Sequence, residues 1–234
     1  MVQSPDPRDN EIVKVFHFIK WGRADYIAAR TLLLSGLLVQ GAGLANTAIE
    51  KFLKAQCVQM GVASGKTHDV GTLYTLVRSQ AAAFALNEGF LRAINKAYQF
   101  RYPDDLEIGF NISLNQAKLL AELDRSIFEI ANRFQFRDND RVLLIDQSAL
   151  KKEPRYEERN IVANPAEKNL LFDQPSQSYD FRNMVPIFFE ANYLSPSVPD
   201  DGYFDMEGLT IGPNSGFILG QPRGEGKMFL ANLF

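Results

Sequence analysis

A chain of 234 residues, 46% hydrophobic and 23% charged, is long enough to bury one good core with room for a small second domain. Its net charge of −3 excludes a whole-surface binder of membranes or of duplex DNA. The balance is uneven, because residues 1–137 carry 16 Lys+Arg against 13 Asp+Glu whereas residues 138–234 carry 9 against 15, so a local anionic partner is permitted at the front.

Met1–Asn10 is polar and holds Pro5 and Pro7, so no secretory leader is expected and a cytoplasmic location follows. Residues 1–22 are read as an N-terminal segment containing a short candidate helix, Glu11–Trp21. Arg23–Val39, crowded with Ala and Leu, is a stronger helix; its apolar run Thr31–Val39 is far too short to span a membrane. Gly41 and Gly43 are expected to break the chain before a helix over Leu44–Met60. That helix places Ala45, Ala48, Ile49, Phe52 and Leu53 on one stripe, with Glu50 and Lys54 paired on the outer face. Cys57, the single cysteine, rules out an internal disulfide and is read as a small apolar residue.

Gly61 and Gly65 close this helix. Thr67 or Asp69 can cap the next one, which carries Leu73, Leu76, Val77 and Phe84. Asn87 caps a fourth, with Leu86 and Leu91 as a hydrophobic staple and Phe90, Ile94 and Ala97 toward the core. Arg101 falls where that helix should finish, and Pro103 enforces the stop before a break at Gly109. The last long helix is expected to open with Ser113 and Gln116 as a capping box and to run to Phe134. The fold class implied for residues 23–137 is all-α, a four- to five-helix up-and-down bundle.

Residues 138–234 change character, holding eight of the eleven prolines and seven of the sixteen glycines. Val142–Ile145, Val185–Phe189 and Phe217–Leu219 read as brief strands, and the many aromatics argue against simple disorder. This region is expected to be an irregular, partly extended C-terminal extension draped on the bundle or on a partner subunit.

The run Leu44–Ala55, Thr67-His68-Asp69 opening a helix, and Tyr98 with Arg101-Tyr102-Pro103-Asp104 together resemble the HEPN domain family over residues 23–136. The resemblance implies a bundle that commonly forms homodimers, often serves as partner to a nucleotidyltransferase, and often deals with nucleotides or RNA. Ribonuclease members carry an Arg followed after four to six residues by a His, an imidazole to move the 2′-hydroxyl proton and a guanidinium to steady the phosphate. Arg101 is the candidate arginine, but Leu106, Glu107 and Ile108 stand where the His should fall. The ribonuclease motif is absent, and an exposed Glu107 titrates too low to replace it well. The resemblance therefore implies the binding type of domain, a non-catalytic dimeric partner module.

Its ligand-binding candidates are Arg101, Tyr102, Asp104, His68 and Lys96. Arg92, Lys96 and Arg101 recur on one helix face, a small patch able to face phosphate. The segment also has a purely structural reading: Arg101 bonding carbonyls at its helix end, Asp104 pairing with it, and Tyr102 packed beneath the last helix. His68 sits beside Asp69, which can polarise it. A ribonuclease with its proton shuttle rebuilt from His68 or Glu107, and a structural interaction protein, are the competing functions.

Gly61–Thr67 imitates a phosphate-binding loop, but it has three residues between its glycines where four are needed and follows a helix, so a plain helix-breaking loop is expected. Gly216–Lys227 has neither the spacing nor a following helix. With two histidines, His17 and His68, and one cysteine, no zinc arrangement or Ser-His-Asp triad is available, and no cofactor or metal is expected.

Overall fold

The computed structural model describes residues 7–107, 110–138, 141–144, 154–165, 176–185 and 188–192. Helix α1 spans Pro7–Leu34 and α2 spans Leu38–Gln59. The expected interruption between Trp21 and Arg23 is absent, and Gly41 and Gly43 lie inside α2 rather than before it. The chain turns instead at Gly36, whose φ of +80° is in the left-handed region open to glycine. Gly41 serves packing rather than turning. A Cβ there would stand 2.7 Å from the Leu33 side chain, so its absence lets the two helices lie close together.

Helix α3 (Val70–Gln80) starts at Asp69, whose carboxylate accepts from Thr72 N–H at 3.0 Å. Helix α4 (Glu88–Tyr98) starts at Asn87, which accepts from Phe90 N–H at 3.1 Å. Two 3₁₀ turns follow, Gln99–Arg101 and Pro103–Asp105. Helix α5 (Gln116–Ala131) is capped by Asn115, not by Ser113. Ser113 belongs to a strand, β1 (Asn111–Asn115), because a later segment supplies the backbone partners that a capping box would have replaced.

Helix α2 contacts α1, α3, α4 and α5, and residues on all its faces are buried. Such a helix is normally apolar all round, which is what its Ala, Leu, Ile and Phe content provides. The body is thus the all-α bundle that the helical periodicity predicts, with a partly extended region added to it.

That region begins with a hairpin, β2 (Gln135–Asp138) and β3 (Arg141–Leu144), and a short helix, α6 (Pro154–Glu157). Strands β4 (Ser178–Val185) and β5 (Phe188–Asn192) complete an antiparallel sheet in the order β1–β4–β5. The expected strand at Val142–Ile145 overlaps β3, and Val185–Phe189 straddles the junction of β4 and β5. Strand β1 takes up Ser113, where the last helix was expected to begin, and β2 follows Phe134, where that helix was expected to end. The Phe217–Leu219 and Gly216–Lys227 readings and the break at Gly109 lie outside the described residues.

The extension enters the core. Tyr156, Tyr179 and Phe181 are buried with the bundle side chains. Fully buried Arg30 pairs with Asp124 and donates to the carbonyls of Arg155 and Glu158, while Tyr26 Oη–H donates to Asp124 at 2.7 Å. Gln116 Nε2 donates to Leu33 O at 2.6 Å, and Gln116 N–H to Gln177 O at 2.9 Å. Burial pushes the Asp124 carboxyl up from 3.8 to about 6, against the opposing pull of Arg30 and of the Tyr26 hydrogen bond.

Three outcomes follow from this packing. Asp124→Leu strands a guanidinium that cannot shed its proton, so urea unfolding should show a loss of about 3–5 kcal/mol, and Arg30→Met/Asp124→Leu should recover much of it. A carboxyl with a raised folded-state value takes up a proton on folding. Its contribution is complete below about pH 4 and is lost as pH rises through about 6. The difference in Tm between wild type and Asp124→Asn should therefore shrink from about pH 4 to about pH 7, and an opposite slope would show that the Arg30 charge outweighs burial. Deleting residues 138–234 should leave an aggregating or partly unfolded chain by circular dichroism and light scattering, because β1 and the pocket around Arg30 lose their cover; a monodisperse helical product would refute this.

Candidate functional site

The candidate residues collect where α4 ends. Tyr98 is the last residue of α4, and the tighter 3₁₀ turn after it swings Arg101 back so that its guanidinium carbon lies 5.0 Å from the Tyr98 ring centre. Pro103 removes the amide that a continuing helix would need. Phe100, between them, points the other way, packing edge-on at 4.8 Å from Phe181 and 5.4 Å from Phe110. The turn that presents Arg101 is therefore anchored to strand β4.

On the other side, the loop after α2 brings His68 to Tyr98, with the two rings 6.2 Å apart and tilted by only 20°. Tyr102 meets Tyr98 edge-on at 6.3 Å and is half exposed. Beneath them lies Glu50 of α2. Both its carboxylate oxygens stand 3.1 Å from His68 Nδ1, and Lys54 Nζ donates to it at 2.7 Å. Asn46, one turn earlier, is fully buried and reaches the His68 carbonyl through Nδ2 at 3.4 Å.

The expected pairing of Glu50 and Lys54 exists, but not on an outer face. The Glu50 and Lys54 side chains are 8% and 11% exposed, because the 60–69 loop and α4 cover that side of α2. The partner expected for His68 was Asp69, but Asp69 turns to the amides of α3 and Glu50 takes its place. A carboxylate can only accept, so Nδ1 is the donor to Glu50, and in the neutral imidazole Nε2 is the acceptor, on a side chain that is 62% exposed. Burial raises the Tyr98 phenol above its ordinary value; Arg101 lowers it, while Tyr102 and Glu50 add to the rise. Tyr98 is thus a neutral hydrogen-bonding phenol at physiological pH.

The five candidates do not form one cluster. His68, Arg101 and Tyr102 surround Tyr98. Lys96 Nζ turns away to lie 5.3 Å over the Phe110 ring, and Arg92 faces a groove between α3 and α4, so the expected single basic face is divided. Asp104 is exposed in the Pro103–Asp105 turn, and among the described residues no ion pair joins it to Arg101. Nor does Arg101 close its own helix end or Tyr102 pack beneath α5: the one stacks on Tyr98 and the other faces solvent. Gly61–Thr67 is the loop that delivers His68, following α2 rather than a strand, with left-handed φ values of +67° at Gly61 and +62° at Gly65.

The sequence pattern did not single out two members of this corner as site residues, Tyr98 and Glu50. The available signal was Asn46, Glu50 and Lys54 at intervals of four, a polar line within an otherwise apolar helix. Among the described residues, no group of three or more His, Cys, Asp or Glu could hold a metal ion.

The family model of the HEPN domain matches residues 17–134, just over half of the length. No curated protein and no solved structure matches the chain. The matched span runs from α1 to the residue before β2 and takes in the whole Glu50–His68–Tyr98–Arg101 corner, so the chain belongs to the HEPN domain family.

Proposed function

We propose that this HEPN chain is a non-catalytic binding and partner module that forms homodimers in the cytoplasm. In this reading the His68–Tyr98–Arg101–Tyr102 corner touches the phosphate of a nucleotide or of RNA, and a nucleotidyltransferase-type protein or RNA is the partner. The observation that carries it is Arg101. Its guanidinium is exposed, stacked on Tyr98 and unpaired with Asp104, so among the described residues its donors meet no carboxylate and suit a phosphate. The exposed Val13 and Trp21 on α1 offer apolar surface to a second copy. No described helix is long and apolar enough to cross a membrane.

One observation favours a second reading, a metal-independent ribonuclease. The buried Glu50 carboxylate holds His68 with Nε2 as an acceptor, the arrangement a general base requires. Glu107 is exposed beyond the Pro103–Asp105 turn.

Fluorescence anisotropy with a single-stranded oligoribonucleotide, run beside a cleavage assay on the same RNA, separates the two. Binding without cleavage is expected, with Arg101→Ala weakening it about tenfold at low salt. Cleavage abolished by both His68→Ala and Arg101→Ala would replace the binding reading with the enzyme. Multi-angle light scattering should report a dimer.

A further inference from the structure

Near its start, α1 is apolar on two sides. Val15, Ile19 and Tyr26 are buried in the core, yet Ile12, Val13, Phe16 and Trp21 are 39%, 51%, 50% and 59% exposed. Val13, Phe16 and Lys20 follow one another at intervals of three and four, so they form an outer line along the helix, flanked by Ile12 and Trp21. A helix with one apolar stripe in the core gains nothing from a second in water, and the outer stripe marks a contact surface.

The charges select what covers it. Lys14 and Lys20 are exposed on this stretch, with Lys20 Nζ 5.9 Å over the Trp21 ring, and Glu11 is the one acidic residue between positions 11 and 21. A two-fold contact between copies would set these lysines against a face of their own sign. The complement lies in the same chain. Residues 200–209, outside the described residues, hold Asp200, Asp201, Asp205 and Glu207 with no basic residue, interleaved with Tyr203, Phe204 and Met206.

The path to that surface is short enough. Strand β5 ends at Asn192, which pairs with Asp180, and Asp180 pairs with Ser113. That end of the sheet is fastened to the last turn of α1, since Gln116 bonds both the Leu33 carbonyl and Gln177 O. Trp21 and Phe16 lie about 20 and 27 Å back along α1 from Leu34. Extended chain from Asn192 reaches about 40 Å by Phe204 and about 56 Å by Leu209.

We propose that residues 200–209 dock in cis on the outer face of α1, their aromatic side chains on Val13, Phe16 and Trp21 and their carboxylates toward Lys14 and Lys20. The acidic segment is thus an internal cap, and a second copy can use this face only by displacing it. The contact is independent of the phosphate reading of Arg101.

Trp21 is the only tryptophan, so its fluorescence in the full chain reads this contact directly. Wild type should show blue-shifted emission and slow acrylamide quenching. Asp200→Lys/Asp201→Lys/Asp205→Lys/Glu207→Lys should give the red-shifted emission of a solvated indole and severalfold faster quenching, with the melting temperature of the bundle unchanged. Tyr203→Ser/Phe204→Ser should do the same without a change of charge. Adding Lys14→Glu/Lys20→Glu to the four-lysine tail should restore the shielding. Solvated Trp21 in wild type, shielding indifferent to both tail variants, or a charge swap that restores nothing would each overturn the proposal. So would shielding of Trp21 in the four-lysine chain on adding Trp21→Phe/Lys14→Glu/Lys20→Glu chains, because the tail would then act between copies.

Discussion

A carboxylate on a helix enclosed by four neighbours must find donors or it cannot stay ionised there. Glu50 is in that position on α2, and the architecture of the site follows from how it is supplied. Lys54 comes from the same helix one turn later. His68 comes from a loop whose two left-handed glycines bend it back over α2, and its imidazole then stacks on Tyr98 at the end of α4. The charge that α2 buries thus draws two other segments into register. The exposed corner carrying Arg101 and Tyr102 is built on that contact.

The second support comes from the extension. A helix end followed by two short 3₁₀ turns has little hydrogen bonding of its own to hold a side chain in place. Phe100 compensates by entering an aromatic group with Phe110, Tyr179 and Phe181, so β4 fixes the turn from behind while Tyr98 meets it from the front. Arg30 ties α6 to the bundle by a similar logic, since its buried guanidinium needs the carbonyls of Arg155 and Glu158 as well as Asp124. Residues far apart in the chain therefore share the work of presenting one arginine.

Within the bundle, much was legible in the sequence. The caps at Asp69 and Asn87, the apolar stripes of α2 and α4, and the halt before Pro103 are local consequences of side-chain chemistry and backbone restriction, and each is where the pattern puts it. The errors have local causes too. Gly41 read as a break because a glycine's use in close helix packing looks the same in sequence as its use in a turn. Ser113 read as a cap because its strand partner lies more than sixty residues downstream, at Asp180.

The caps at Asp69 and Asn87, the apolar stripes of α2 and α4 and the family were present in the order of amino acids, because each depends on neighbours within a few turns or on succession along the chain. Tertiary packing was needed to turn Glu50 and Lys54 inward, to give His68 Glu50 rather than Asp69, and to part Lys96 from Arg101. It also set the β1–β4 pairing that holds Phe100. Burial and partner choice are properties of what covers a side chain, and here the cover comes from segments far along the chain, a separation that helical periodicity does not record.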